Sequence, residues 1–218
     1  MRYLLILFVG LLWLGCTTTK LKEDWKNPTI NTYEPYKVLV VGMSSNIKAR
    51  KKFEQQLKYE YKERGIEAAM SLDFFDPTFR TEKMTNEELK QLENDLIDDG
   101  FDTILFTKII GVEDRVAYKK KYGGFDETHR RFKEDYLEYQ DIFYNLDYYE
   151  EYTIYHAETS MYCICPTKER ELIWKGYIDI TDPQSIDETL DDYVKLVILA
   201  LEEQQLINLK KHTHNKDL

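Results

Sequence analysis

Histidine and cysteine are scarce in this sequence: 218 residues contain four of the first and three of the second. That leaves few ways to build a metal centre. Glu127-x-His129 and His212-x-His214 each lack companion ligands and read as solvated surface. Cys163-x-Cys165 has no second pair of cysteines, which speaks against a zinc site. Alternate residues of a strand share a face, and two thiols so placed are strained as a disulfide, so small buried thiols in a core strand are expected. Glycine occurs nine times, and never as G-x-G-x-x-G or in a Lys-bearing phosphate loop. G-x-S-x-G is missing too, so Ser44 or Ser45 with His156 and an Asp makes a triad on paper only. His156 and Glu158 share a strand face and read as polar surface rather than an acid–base couple. Positive charge is also short. Thirty Lys and Arg face forty Asp and Glu, a net charge of −10, which disfavours nucleic acid as the main partner because phosphate selects basic surfaces. No cofactor, no metal and no catalytic residue are expected.

Long apolar runs are absent except at the start. Arg2 precedes the run Tyr3–Gly15, which ends in Leu14-Gly15-Cys16. It is shorter than the roughly 20 residues a spanning helix needs, so residues 1–15 read as a signal peptide. A small residue directly before Cys resembles the lipobox of bacterial lipoproteins, although Trp13 stands where Leu is usual. The resemblance implies cleavage before Cys16, a diacylglycerol thioether on its sulfur and a further acyl chain such as palmitate. Two or three chains on one residue give stable anchoring where one does not. Thr17 follows the Cys instead of Asp, which by similarity to sorting in Gram-negative envelopes implies the outer membrane, with the domain facing the periplasm.

The mature chain then divides by pattern. Residues 16–36 lack periodicity, carry Pro28 and Pro35, and read as a tether in which Trp25 either packs back or awaits a partner. Residues 37–207 read as one α/β domain. Val38-Leu39-Val40-Val41 is a short, wholly apolar strand of the kind a parallel sheet hides on both faces. The helix after it places Ala49, Phe53, Leu57 and Tyr61 on one stripe and stops at Gly65; Lys48, Arg50, Lys51, Lys52, Lys58, Lys62 and Arg64 are assigned to its outer face. A second strand follows at 66–70. Thr85-Asn86-Glu87-Glu88 opens a second helix, with Leu89, Leu92, Leu96 and Ile97 as its stripe, and Thr103–Ile110 is a third strand. Right-handed crossovers give the order second–first–third. Two alternating strands, at 153–165 and 172–180, are expected to extend the sheet as an antiparallel hairpin. A last helix after Ser185 carries Ile186, Leu190, Tyr193, Val194, Val197, Ile198 and Leu201. Residues 208–218 form a frayed tail. The expected architecture is three-layer-like: a parallel β-α-β-α-β core, the hairpin and the C-terminal helix.

Aromatic residues are abundant, 17 of them tyrosine, and they concentrate in an insertion at 113–150. Tyr118, Tyr122, Phe125, Phe132, Tyr136, Tyr139, Phe143, Tyr144, Tyr148 and Tyr149 form the candidate partner surface, since Tyr and Phe give large contact area at low entropic cost. The alternative is that they cover an open face of the sheet.

The Thr-rich start of the mature part with Trp25, the KVLVVG strand, Gly100-Phe101-Asp102 before the third strand, Glu158-Thr159-Ser160-Met161-Tyr162 and Asp191-Asp192-Tyr193 together resemble a group of bacterial outer-membrane lipoproteins with an α/β core. More distantly, the order of elements is similar to the amino-terminal domain of TolB, the curli-export lipoprotein and the lipoprotein activators of peptidoglycan synthases. The resemblance implies a non-catalytic envelope module that binds a protein or other envelope component and is held to the membrane by its lipid. Two alternatives stand beside it: a lipid- or glycan-acting enzyme using Ser44, His156 and Glu158, and a subunit of a homo-oligomeric envelope complex.

Overall fold

The computed structural model describes residues 18–44, 46–74, 85–118, 149–165 and 171–208. Six strands form one mixed sheet: β1 (Thr19–Lys26), β2 (Lys37–Met43), β3 (Glu67–Met70), β4 (Thr103–Tyr118), β5 (Tyr149–Cys163) and β6 (Leu172–Thr181), in the order β1-β6-β5-β4-β2-β3. β2 lies parallel to both β3 and β4, with the first of the three in the middle as the crossovers require. β4, β5 and β6 run antiparallel, the hairpin extending the sheet as expected. The helices among the described residues are α1 (Ile47–Glu63), α2 (Ser71–Phe74), α3 (Asn86–Asp98) and α4 (Ile186–Glu203). The fold is α/β.

The apolar run of β2 explains the layering. Val38 and Val40 enter a large core with Phe53, Leu57 and Tyr61 of α1 and Tyr193, Val194, Val197, Ile198 and Leu201 of α4. Leu39 and Val41 point to the other face, where Leu96 of α3, Phe101 and Ile164 close a smaller core. Each long helix is capped at its start. Asn46 accepts from the Ala49 N–H at 3.1 Å. Thr85 and Glu88 complete a reciprocal box, and Gly65 and Gly100 take φ of +77° and +85°, which a side chain rarely tolerates. Ser185 caps α4 by accepting from the Glu188 N–H.

The stripes are only partly as expected. In α3 only Leu96 is fully buried and Leu89 is exposed, because α3 covers little more than β2 and its neighbours. Ile186, in the first turn of α4, is exposed as well.

Four readings of the sequence change. First, from residue 18 to 36 the chain is not a loose tether. Thr19–Lys26 is an edge strand paired antiparallel to β6. The link behind it is held down: the Lys26 Nζ donates to the carbonyls of Asn31 and Gln204, and the Tyr33 N–H donates to the Gln205 carbonyl. A half-solvated edge strand alternates weakly, and three lysines on it are what keeps such an edge from pairing with other chains. Trp25 stays 45% exposed. Second, the insertion begins later and ends earlier than read. β4 runs to Tyr118 and β5 starts at Tyr149, and these two residues pair with each other. Tyr122, Phe125, Phe132, Tyr136, Tyr139, Phe143, Tyr144 and Tyr148 lie outside the described residues, as do Cys16, His129, His212 and His214. Third, Cys163 and Cys165 are joined as a disulfide. β5 ends at Cys163, so the chain is no longer fully extended there. Its Cα–Cα distance closes to 5.3 Å, below the roughly 6.6 Å of two steps along a strand and within reach of a bridge. Fourth, Arg50 and Arg64 do not belong to the solvated face of α1. Both side chains are buried, Arg50 on Glu54 and Arg64 between Glu60 and Glu202.

Candidate functional site

β2 delivers its chain to α1 through a tight turn. At Gly42 an added Cβ would stand 3.0 Å from Phe53 Cδ1, so glycine lets the ring lie against the strand end. α4 begins nearby, after Pro183. The N-termini of α1 and α4 therefore flank one notch over the sheet, and the notch is a cavity of about 310 Å³. Phe53 and Ala49 of α1, Ile109 of β4, Tyr155 and Ala157 of β5, Ile180 of β6 and Ile186, Leu190 and Tyr193 of α4 line it, with Met43 at the rim. Met43, Ile109 and Ile186 remain 58%, 46% and 51% exposed, so the mouth is apolar as well as the wall.

Several of the polar groups here are already engaged. The Tyr193 hydroxyl shares a hydrogen bond with Thr159 at 2.8 Å, and Thr159 with Thr107 at 2.7 Å. Burial pushes the Tyr193 phenol up, so it stays neutral at physiological pH. Ser44 accepts from the Asn46 N–H.

Arg50 closes the inner end and is itself tied down. Its Nε donates to Glu54 Oε1 at 2.9 Å and its Nη2 to the Ser71 hydroxyl at 2.8 Å, which in turn donates to Glu54. The N–H groups of Gly42 and Leu72 also donate to Glu54. This buried network ties α1 to the end of β2 and the start of α2. The sequence carries a signal for it: Arg50 and Glu54 are four apart, beside the apolar stripe, with Glu54 one turn before Leu57.

His156 and Glu158 lie elsewhere. Tyr155, Ala157 and Thr159 face the cavity side, so the pleat turns His156, Glu158 and Ser160 to the other face of the sheet. There His156 Nδ1 lies 2.7 Å from Asp179. Glu158 accepts from Lys108 at 2.7 Å and Ser160 at 2.9 Å, with Lys175 3.6 Å away. Burial, the largest influence, pushes the Glu158 carboxyl up, but Lys108, Ser160 and Lys175 together hold it below the usual range. Ser44 is thus parted from His156 and Glu158 by the sheet itself, and these residues do not form a nucleophile–base pair. Among the described residues no three His, Cys, Asp or Glu side chains are grouped to hold a metal.

What the cavity can do chemically is accept an apolar group. Its lining offers shape and hydrocarbon surface and no charge free to meet a polar ligand.

No family model matches the chain and no curated protein matches it. Among solved structures it is similar to PelC from Paraburkholderia phytofirmans, crystallised as a dodecamer. One variant is 9% identical with a TM-score of 0.42, covering 86% of this chain and 98% of that one. A second PelC dodecamer structure is 6% identical with a TM-score of 0.41, covering 87% and 99%. Lipoprotein GNA1162 from Neisseria meningitidis is 16% identical with a TM-score of 0.40, covering 78% of this chain and 99% of that one. These likenesses assign no activity to the chain.

Proposed function

We propose that the chain is an envelope lipoprotein, anchored through Cys16 to the outer membrane and facing the periplasm, that works by binding and not by catalysis. The observation that carries the non-catalytic part is the division of the sheet. The cavity is lined mainly by apolar side chains, while His156 and Glu158, the candidate acid–base groups, are engaged with Asp179 and with Lys108 and Ser160 on the opposite face. The anchoring part rests on Gly15-Cys16 at the end of the apolar run. A disulfide at Cys163–Cys165 fits an oxidising compartment such as the periplasm. Among the described residues no helix is long and apolar enough to cross a membrane.

The test of anchoring is fractionation of cells producing Cys16→Ala. The variant is expected in the soluble fraction, and retention in the membrane overturns the reading. The partner surface remains the aromatic segment. Since Tyr118 pairs with Tyr149, residues 119–148 can be replaced by a short turn between the two strands. That deletion is expected to leave a cooperative melt and to abolish recovery of crosslinked envelope partners; undiminished recovery sinks the assignment. Light scattering on the delipidated domain decides whether the chain self-associates.

A further inference from the structure

The position of β1 changes what a lipid on Cys16 would do. The Thr181 N–H donates to the Thr18 carbonyl at 2.8 Å, and Thr19 is buried opposite Ile180, a wall residue of the cavity. Thr18 also borders, with Ser185 and Thr189, a hollow beside the α4 N-terminus, and Thr189 lines the cavity too. Three residue steps separate Cys16 from Thr19, which extended chain spans in at most about 10 Å. A thioether on Cys16 is therefore confined close to the cavity, with no long leash between lipid and domain.

Resting on the lipoprotein reading above, we propose that one acyl chain of the Cys16 lipid folds back into the cavity between α1 and α4. The occupant is hydrocarbon, because most of the wall is apolar, the mouth is formed by Met43, Ile109 and Ile186, and Thr107, Thr159 and Tyr193 are bonded to one another. Each methylene buried there adds to the stabilisation. The tethered chain holds a further advantage over a side chain of another molecule: a short link places it at an effective concentration of order millimolar. A triacylated cysteine keeps two chains for the bilayer, enough for stable anchoring.

The test is to grow cells producing the full-length protein with a palmitate analogue bearing a diazirine, irradiate, and map crosslinks by mass spectrometry. Expected are crosslinks from the lipidated N-terminal peptide to peptides containing Met43 or Ile186. In Ile186→Glu, which alters an exposed rim position, the same crosslinks should fall several-fold while label on Cys16 is unchanged. Label on Cys16 with crosslinks only to lipid or to other proteins overturns the proposal. Cavity crosslinks that persist in Cys16→Ala overturn it as well, by showing that bilayer lipid is the occupant. Absence of label from Cys16 removes the lipoprotein reading itself, and this proposal with it.

Discussion

One strand, β5, carries two chemistries that never meet. Its Tyr155, Ala157, Thr159 and Met161 look toward α1 and α4, where they build apolar core and the wall of the cavity. Its His156, Glu158 and Ser160 look the other way and stand among Lys108, Lys175 and Asp179. A pleat of period two is enough to do this. An active site of the Ser–His–acid kind needs nucleophile and base on the same side of one cleft. Here the sheet stands between them, and that is a stronger argument against such a triad than the missing motif. The difference also predicts where substitutions hurt: most on the face packed against α1 and α4, least among the charged partners on the other.

The largest effect is expected at Glu54. Its carboxylate is wholly buried and receives Arg50, Ser71 and two backbone N–H groups. Glu54→Ala strands the Arg50 guanidinium in the core, and breaking a buried pair in this way costs about 3–5 kcal/mol. Chemical denaturation should show that loss, or no folded protein at all. Removing both charges with Arg50→Met and Glu54→Leu should recover part of it. Full recovery is not expected, because Gly42 and Leu72 would still lose the acceptor of their N–H groups. If Glu54→Ala melts like the wild type, the covered face is not as described.

Gly176 comes next. The Trp174 indole is fully buried and lies along β6 over this position, so that an added Cβ would meet Cη2 at 2.4 Å and Cζ2 at 2.7 Å. Gly176→Ala must push the ring out of its seat and off the Asp24 carboxylate to which its Nε1 donates. Overpacking of this kind costs about 1–3 kcal/mol. A loss of near-UV circular dichroism at unchanged helix content would place the damage at the indole; an unaltered melt would contradict the packing.

Much of this comparison was legible beforehand. The all-apolar Val38–Val41 could only be a strand hidden on both faces, and the alternation of 153–165 and 172–180 announced a hairpin. The parting of Ser44 from His156 follows from the same alternation once the strand partners are known. What was hidden depended on contacts distant in sequence. β1 is an edge strand whose pattern Leu21-Lys22-Glu23-Asp24-Trp25 carries no clean period, and a register shift between Leu21 and Glu23 blurs it further. Arg50 read as solvated because the Ser71 that helps bury it comes 21 residues later. The disulfide depends on the strand ending at Cys163, which alternation alone does not mark. The cavity is the sum of side chains from α1, β4, β5, β6 and α4, and no local pattern describes it.

A gain is expected at Tyr61. Its ring is fully buried in the main core and its hydroxyl has no hydrogen-bond partner. Burial pushes the phenol well up from its ordinary value, so it is neutral and simply unsatisfied. An unmet buried polar group costs about 1–3 kcal/mol. Tyr61→Phe removes that cost at almost constant shape, and a rise in stability of about 1 kcal/mol should appear in denaturation. A loss instead would mean that the hydroxyl is paired in solution.

The smallest effect belongs to the other face, at Glu158. Its own side chain is 7% exposed, but its partners Lys108 and Lys175 keep 30% and 27% of theirs in water, and ion pairs screened from that side are worth roughly 1 kcal/mol or less. The sign of the pH dependence is fixed by the direction of its shift. Lys108, Ser160 and Lys175 hold the folded carboxyl below its ordinary value of 4.5, so the unfolded chain takes up the proton first as pH falls. The stabilisation is thus fully present above about 4.5 and drains away as pH drops through the lower folded value. Glu158→Gln lacks it throughout. The gap in stability between wild type and Glu158→Gln should be present at neutral pH, shrink in molar salt and vanish in acid. A gap that ignores both pH and salt would show that Glu158 acts through packing, and the contrast between the two faces of β5 would lose its charged half.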